Sequence, residues 1–316
     1  MRTSGCSSYT TSPRVQISAL EFRPMAGADV QQVASLLKYA HTRTCDFTVG
    51  GMFMWADWFN YRMCVYRDTL FVKGMSESDC RTVAFSLPVG KLAVGESVRL
   101  LKDYCMARSM PMLMSAVPRE YVEQLMKYGA TRVEELPDWA DYLYDIDSLA
   151  TFAGKKLNKK RNHINRFISD NPDYAAELIT AANIGDVKVF FSNLQLPEGK
   201  PLMAEYDRCQ VKEVLENYDD YPFEGILIRV PGKGVVAFAV GEVKMDTLVV
   251  HIEKMDHSVT GAGEIVCRDF ALMMKARYPY LRYENREDDA GDEGLRQAKL
   301  SLHPCSLLGK YNVYFD

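Results

Sequence analysis

Apolar residues alternate with polar ones in some stretches of the chain and recur every three to four residues in others. The two patterns interleave in a regular order. A short extended segment at 21–23 meets Pro24, and a helix is predicted over 29–41, with Asp29 as N-cap and Val33, Leu36 and Leu37 on its apolar stripe. A second helical stretch covers 52–61. Three strands follow at 62–67, 69–74 and 81–87, then a helix over 95–109 with Val98, Leu101 and Cys105 at helical spacing. A strand at 111–116 leads into a helix at 119–128 closed by Gly129. A strand at 132–135 and an extended segment at 142–146 end this half.

The order then recurs. A strand at 174–179 precedes helices at 184–195 and 202–218. Strands at 225–230, 235–243 and 247–254 are joined by the turns Pro231-Gly232-Lys233-Gly234 and Lys244-Met245-Asp246. A helix over 263–277 stops before Pro279. A strand at 281–285, a helix at 293–302 and a strand at 310–315 complete the series. Both halves read β-α-α-β-β-β-α-β-α-β, offset by about 150 residues, a length that also suits roughly two domains. Meander strands followed by strand–helix alternation predict an α/β (α+β) fold in which each half is a mixed, mostly antiparallel sheet with helices on both faces. The expected division is an extension at 1–16, an N-terminal repeat at 17–150, a basic connecting helix at 151–172 and a C-terminal repeat at 173–316.

Composition narrows the functional classes. The 316 residues are 47% hydrophobic and 25% charged, enough apolar material to offset chain entropy, which excludes a disordered polymer. A net charge of −4 excludes a protein basic all over that coats nucleic acid, without excluding a local basic patch. The eight cysteines form no C-x-x-C pair, and free thiols in a reducing cytosol are expected. No apolar run approaches the 18 residues of a membrane span. The first 13 residues hold seven Ser or Thr and no apolar signal core, so a cytoplasmic location, peripheral to the membrane at most, is expected.

Charge is unevenly distributed. Residues 155–166 contain Lys155, Lys156, Lys159, Lys160, Arg161 and Arg166 and no acid. On a helix, Leu157, Ile164 and Ile168 fall within about 40° of one another and face inward, while Lys155, Lys159 and Arg166 line the opposite side. Arg161 falls beside the apolar stripe and is expected to be partly buried and paired. Such a field suits phosphates, although a solvated helix face has the same pattern. The tract 284–296 carries six acids and two arginines. Asn285, Arg286, Glu287 and Asp288 fall at a strand's end, where ligands of open α/β sheets bind, with Glu284 and Arg286 sharing one face opposite Asn285. Arg296 and Lys299 lie one helical turn apart, a spacing that fits a carbonyl or phosphate. The aromatic-rich segment 44–55 suits either core packing between the repeats or the lining of an acceptor pocket. No catalytic partner accompanies Cys45, and no metal-ligand spacing stands out.

The element order is similar to the acyltransferase fold of the GNAT superfamily. Its duplication resembles the Fem-type aminoacyl transferases and the cytosolic domain of the phosphatidylglycerol lysyltransferases. The segment Gly154-Lys155-Lys156 through Arg161 to Asn165-Arg166 looks like the Gly-Lys-Lys…Arg…Asn-Arg stretch of lysyltransferase domains, and the tract from Glu284 to Pro304 resembles a related, uncharacterised bacterial family. The likeness covers about residues 17–316. It implies an aminoacyl or acyl transferase whose donor is an aminoacyl-tRNA, bound at its acceptor end by Lys155, Lys156, Lys159, Lys160, Arg161 and Arg166, with Asn285 and Lys299 contacting substrate and Glu253, Arg286 and Arg296 serving catalysis. The acceptor would be an amine or hydroxyl, such as a lipid headgroup. Glu253, placed by strand alternation on the same face as His251, would take the acceptor's proton; a structural ion pair with Lys254 or an Arg is the other reading. In GNAT enzymes a Q/R-x-x-G-x-G/A loop holds CoA phosphates. Here Ser258-Val259-Thr260-Gly261-Ala262-Gly263 keeps Gly261 and Gly263 and replaces the first residue. A CoA-dependent N-acyltransferase and a non-catalytic binding module of the same fold are the alternatives.

Overall fold

The structure, a computed structural model, describes residues 19–194 and 202–315. The extension expected at 1–16 and the predicted end of a helix at 195 lie outside the described residues. In chain order the elements are β1 (Arg23–Pro24), α1 (Val30–Leu37), α2 (Val49–Phe53), β2 (Arg62–Tyr66), β3 (Thr69–Met75), β4 (Val83–Phe85), β5 (Val89–Gly90), α3 (Val94–Met106), β6 (Met112–Pro118), α4 (Arg119–Lys127), β7 (Arg132–Glu135), β8 (Asp141–Asp145), α5 (Ile146–Thr151) and α6 (Asn158–Asp170). They continue with β9 (Ala175–Leu178), α7 (Ile184–Asn193), α8 (Leu202–Glu216), β10 (Glu224–Val230), β11 (Gly234–Lys244), β12 (Thr247–Met255), α9 (Ala262–Arg277), β13 (Tyr283–Asn285), α10 (Glu293–Leu300), β14 (Ser306–Leu308) and β15 (Lys310–Phe315). The predicted order is present. The sequence pattern missed α5, β5 and β14, whose short lengths carry too few apolar positions to show a period.

Two sheets form. The first has the order β1-β2-β3-β4-β6-β15-β7, with β5 also on β3; the second has the order β14-β8-β13-β12-β11-β10-β9. Among the described residues, only β4–β6 and β12–β13 are parallel pairs. The family likeness is thus matched by two mixed, mostly antiparallel sheets with helices packed on them. The two halves exchange strands: β15, the chain's last strand, lies between β6 and β7, while β8 lies between β13 and β14. Each sheet is therefore completed by a strand from the other half of the chain.

One face of the second sheet buries Ile226, Val250 and Leu248 against α5, α6 and α9. Its other face, through Phe238, Val240 and Ile252, is continuous with the core of the first half, which includes Phe47, Phe71 and Val313. Within 151–172 the helix is α6, and the short α5 ends at the segment's start. Phe152, in the left-handed region at φ 49°, ends α5, and Gly154 at φ 89° turns the chain. Lys155 and Lys156 thus sit in a turn before α6. In α6 the inward face is Leu157, Ile164 and Phe167; Ile168, expected inside, is exposed. The larger Phe167 ring takes the inward place, edge-on against Tyr174.

Candidate functional site

The exchanged strands start side by side. Asp141 opens β8, Lys310 opens β15, and the Lys310 Nζ lies 2.7 Å from Asp141 Oδ1, 2.9 Å from Asp46 Oδ2 and 3.2 Å from Asp288 Oδ2. Lys310 is only 1% exposed. Burial alone would lower its pKa; Asp141, Asp46 and Asp288 outweigh that and hold the ammonium charged. Burial pushes Asp46 and Asp288 above the ordinary carboxylate range, with Lys310 opposing. Cys45, Asp46 and Asp141 have the spacing of metal ligands, and the ammonium supplies the positive charge among them. The Cys45 thiol donates to Asp141 Oδ1 at 3.3 Å and is pushed well above its usual pKa by burial, so it is no nucleophile. The Cys45 amide donates to Asp141 Oδ2 at 2.7 Å. The segment 44–55 is therefore largely buried at the junction of the two halves.

The network continues into β12. Val240 pairs with Ile252 but its neighbour Gly241 pairs with Val250, leaving His251 as an extra residue in a β-bulge. The bulge corrects the expectation that His251 and Glu253 share a face. Val250 packs toward α9 and Ile252 toward the other side, so His251 joins Phe223 on one face and Glu253 turns to the opposite one. The His251 ring bonds Glu242 Oε1 at 2.9 Å and Glu287 Oε1 at 2.7 Å. Burial would lower its pKa; the two carboxylates outweigh it and raise it to about 10, fixing an imidazolium. The Gly50 amide also donates to Glu242, at 2.7 Å, and a Cβ on Gly50 would fall 2.4 Å from the His251 ring. Here α2 of the first half is locked against the second sheet.

On the α9 side, Glu253 is 18% exposed in its side chain, and its Oε2 lies 2.6 Å from Arg286 Nη2. Arg286 Nη1 also donates to Glu284 Oε1 at 2.9 Å and contacts Cys267 Sγ at 3.0 Å. Glu284 and Arg286 share a face, as expected, and Asn285 points the other way. One turn before Cys267, Glu264 accepts from Lys160 at 3.2 Å and lies 3.1 Å from His163 Nδ1. Burial would raise Glu264; His163 and Lys160 outweigh it and hold the carboxylate below its usual range. Basic α6 therefore lies across the first turn of α9, one turn before the Cys267 that contacts Arg286.

That packing decides how the Gly261–Gly263 loop fits a CoA pyrophosphate. Gly261 adopts φ 83°, and a Cβ there would fall 2.5 Å from the His163 carbonyl oxygen. The loop is thus covered by α6, and the Glu264 carboxylate stands at the helix terminus where a phosphate would need to be. The residues present do not fit that group.

Other predicted site residues are engaged by the protein itself. Asn285 is buried and donates to Asp141 Oδ2 at 2.8 Å and to the Arg43 carbonyl at 2.7 Å. Lys299 donates to the carbonyls of Arg286, at 2.6 Å, and Asp288, so the carbonyl it holds is internal. Arg296 is bound by Asp289 at 2.8 Å and Asp138 at 2.7 Å. It ties α10 to the buried Asp289 carboxylate, and its own side chain stays 31% exposed. Arg161 is half-buried and donates to the carbonyls of Phe152 at 2.8 Å and Gly154 at 3.0 Å. Arg166 pairs with Asp170 at 3.5 Å on the surface. Lys155, Lys156 and Lys159 remain exposed, with no acid paired to them among the described residues. Sequence reasoning missed Lys310, Asp46, Asp141, Glu242 and the role of Glu284. The available signal was a lone charge at the end of an apolar strand or segment, as in Lys310-Tyr311-Asn312-Val313.

The family model described as phosphatidylglycerol lysyltransferase, C-terminal, matches residues 37–314. The chain belongs to this family. No curated protein matches it. Among solved structures, a conserved protein of unknown function from Bacteroides thetaiotaomicron VPI-5482 is similar at 29% identity and a TM-score of 0.81, covering 94% of this chain and 100% of that one. The C-terminal domain of a putative lysylphosphatidylglycerol synthetase from Agrobacterium fabrum is similar at 12% identity and a TM-score of 0.61, over 92% of each chain. FemX is similar at 9% identity and a TM-score of 0.57, over 94% of this chain and 97% of that one. The last two share the fold. Family and fold together support a transferase of the lysylphosphatidylglycerol synthase and Fem type. Among the described residues no helix is long and apolar enough to cross a membrane.

Proposed function

We propose that the protein transfers an aminoacyl group from an aminoacyl-tRNA to an amine or hydroxyl acceptor, a lipid headgroup being the acceptor that family membership favours. The observation that carries this reading is the placement of α6. Lys160 and His163 of α6 meet Glu264 in the first turn of α9, and the exposed cations Lys155 and Lys156, in the turn before α6, and Lys159, on α6, precede them in the chain, while Cys267 further along α9 contacts Arg286, which pairs with Glu253. A polyanion held on that surface by charge brings its acylated end toward a part-exposed carboxylate. Glu253 takes the acceptor's proton, which frees the lone pair that attacks the acyl carbon. Transfer is direct, by positioning, and no nucleophile of the protein is needed. The covered Gly261–Gly263 loop favours this donor over CoA.

The test is transfer itself. Incubated with a pool of radiolabelled aminoacyl-tRNAs and a bacterial lipid extract, the wild-type protein moves label into the organic phase, and Glu253→Gln slows this by about 10²–10⁴. Label that stays on tRNA, or that moves equally fast with Glu253→Gln, refutes the reading.

A further inference from the structure

Glu253 shares its guanidinium with a second carboxylate. Arg286 Nη2 forms an ion pair with Glu253 Oε2 at 2.6 Å, and its Nη1 donates to Glu284 Oε1 at 2.9 Å. Glu284 is 1% exposed, and its Oε2 is buried with no hydrogen-bond partner. An enclosed carboxylate oxygen without a donor is costly. The sheet does not require it, because β13 is held to β8 and β12 by its backbone. Of the other titratable groups nearby, the Cys267 thiol touches this arrangement, 3.0 Å from Arg286 Nη1, and the rest are turned elsewhere. Glu264 on α9 is taken up by Lys160 and His163, Lys299 on α10 is turned to backbone carbonyls, the Tyr144 hydroxyl on β8 donates to the Lys299 carbonyl at 2.8 Å, and Cys267 is a buried thiol pushed well above its usual pKa. Glu253 and Glu284 therefore compete for one cation.

We infer that Glu284 is a positioning residue for the transfer reaction: through Arg286 it holds the guanidinium behind Glu253 and sets how much of that positive charge Glu253 meets. This rests on the transferase reading above. In that reaction the acceptor's nitrogen or oxygen lone pair forms the bond to the acyl carbon and its proton passes to the Glu253 carboxylate. The ester C–O bond breaks, and the leaving ribose oxygen takes the proton from Glu253. Ionised Glu284 shares the guanidinium's charge with Glu253, and protonated Glu284 leaves Glu253 facing the full cation. Burial, opposed by Arg286, pushes Glu284 up to about 7, so this balance shifts near neutral pH.

Glu284→Gln tests it, because the amide keeps the shape and removes the charge. The expected result is a kcat lower by about tenfold, a KM within about twofold, and an acid limb of the pH profile moved down by about one unit. Carboxyl ¹³C NMR of the wild-type protein, which needs no variant to fold, should show the Glu253 resonance moving as Glu284 ionises. Wild-type kcat and an unmoved acid limb in Glu284→Gln, or a Glu253 resonance in the wild-type protein that does not respond as Glu284 ionises, overturns the inference while the transferase reading stands. A wild-type protein that transfers nothing, with the Glu253 resonance still responding to Glu284, defeats the transferase reading and leaves the coupling intact.

Discussion

Replacing Lys310 with Met removes the ammonium that ion-pairs with Asp46, Asp141 and Asp288. Lys310 is 1% exposed and all three carboxylates lie within 3.2 Å of its Nζ. Met matches the length of the stem, so little cavity results. What remains is a set of buried acids without their cation, and removing one partner of a buried ion pair costs about 3–5 kcal/mol. Against a total stability of about 5–15 kcal/mol, that is a large fraction, and at about 2–4 °C per kcal/mol it lowers Tm by on the order of 10 °C. The loss depends on pH. Asp46 and Asp288 already have raised pKa values, and an acid raised in the folded state binds protons more tightly folded than unfolded. It therefore stabilises the fold at low pH and loses that contribution as pH rises through the raised value. Without Lys310 both acids rise further, so the variant is penalised more at pH 8 than at pH 5. Differential scanning calorimetry of wild-type, Lys310→Met, Asp141→Asn and the double variant at both pH values measures the loss and the coupling. A Tm change below about 2 °C at pH 8, or one of equal size at both pH values, would refute the reasoning that this ion cluster clamps the exchanged strands.

Three further outcomes follow from the same geometry. Gly261→Ala places a Cβ against the His163 carbonyl at an unfavourable φ, so thermal unfolding should show a loss of about 1–3 kcal/mol and hydrogen exchange should show faster opening of α6. Charge reversal of Lys155, Lys156 and Lys159 should weaken tRNA binding at low salt and reduce the slope of log K against log salt by about 2–3, measured by fluorescence anisotropy across a salt series; an unchanged slope places the polyanion elsewhere. In native alkylation mapped by mass spectrometry, the exposed Cys80, Cys209 and Cys305 should react while Cys45 and Cys267, buried with raised pKa values, should not. Modification of Cys45 without denaturant contradicts the description of the junction.

The duplicated element order was legible because each long element carries its own period. Strand β12 alternates and α9 shows helical spacing, whatever they pack against. The face assignment of His251 was not legible, since one extra residue in β12 inverts the alternation after it and a bulge has no apolar signature. Ile168 was misplaced for a related reason: α6 begins at Asn158 and packs through the neighbouring Phe167 ring. Glu253 and Arg286 were brought together as the sequence suggested, because both sit at ends of adjacent parallel strands. The junction cluster was invisible, because Asp46, Asp141, Asp288 and Lys310 are distant in sequence and meet only where β8 and β15 cross between sheets. Nothing in a single-chain pattern announces a strand exchange. Arg296 and Lys299 show the converse case: a spacing that suits a ligand is satisfied by Asp289 and by backbone carbonyls of the chain itself.

The central claim is the identity of the donor. A single-turnover experiment with excess protein, following loss of the labelled aminoacyl ester from tRNA with and without lipid acceptor, and in parallel the acylation of the same acceptor from acyl-CoA, tests it most directly. The account predicts acceptor-dependent loss of the ester, slowed by Glu253→Gln, and no transfer from acyl-CoA. Acceptor-dependent transfer from acyl-CoA with the aminoacyl-tRNA left intact would contradict it.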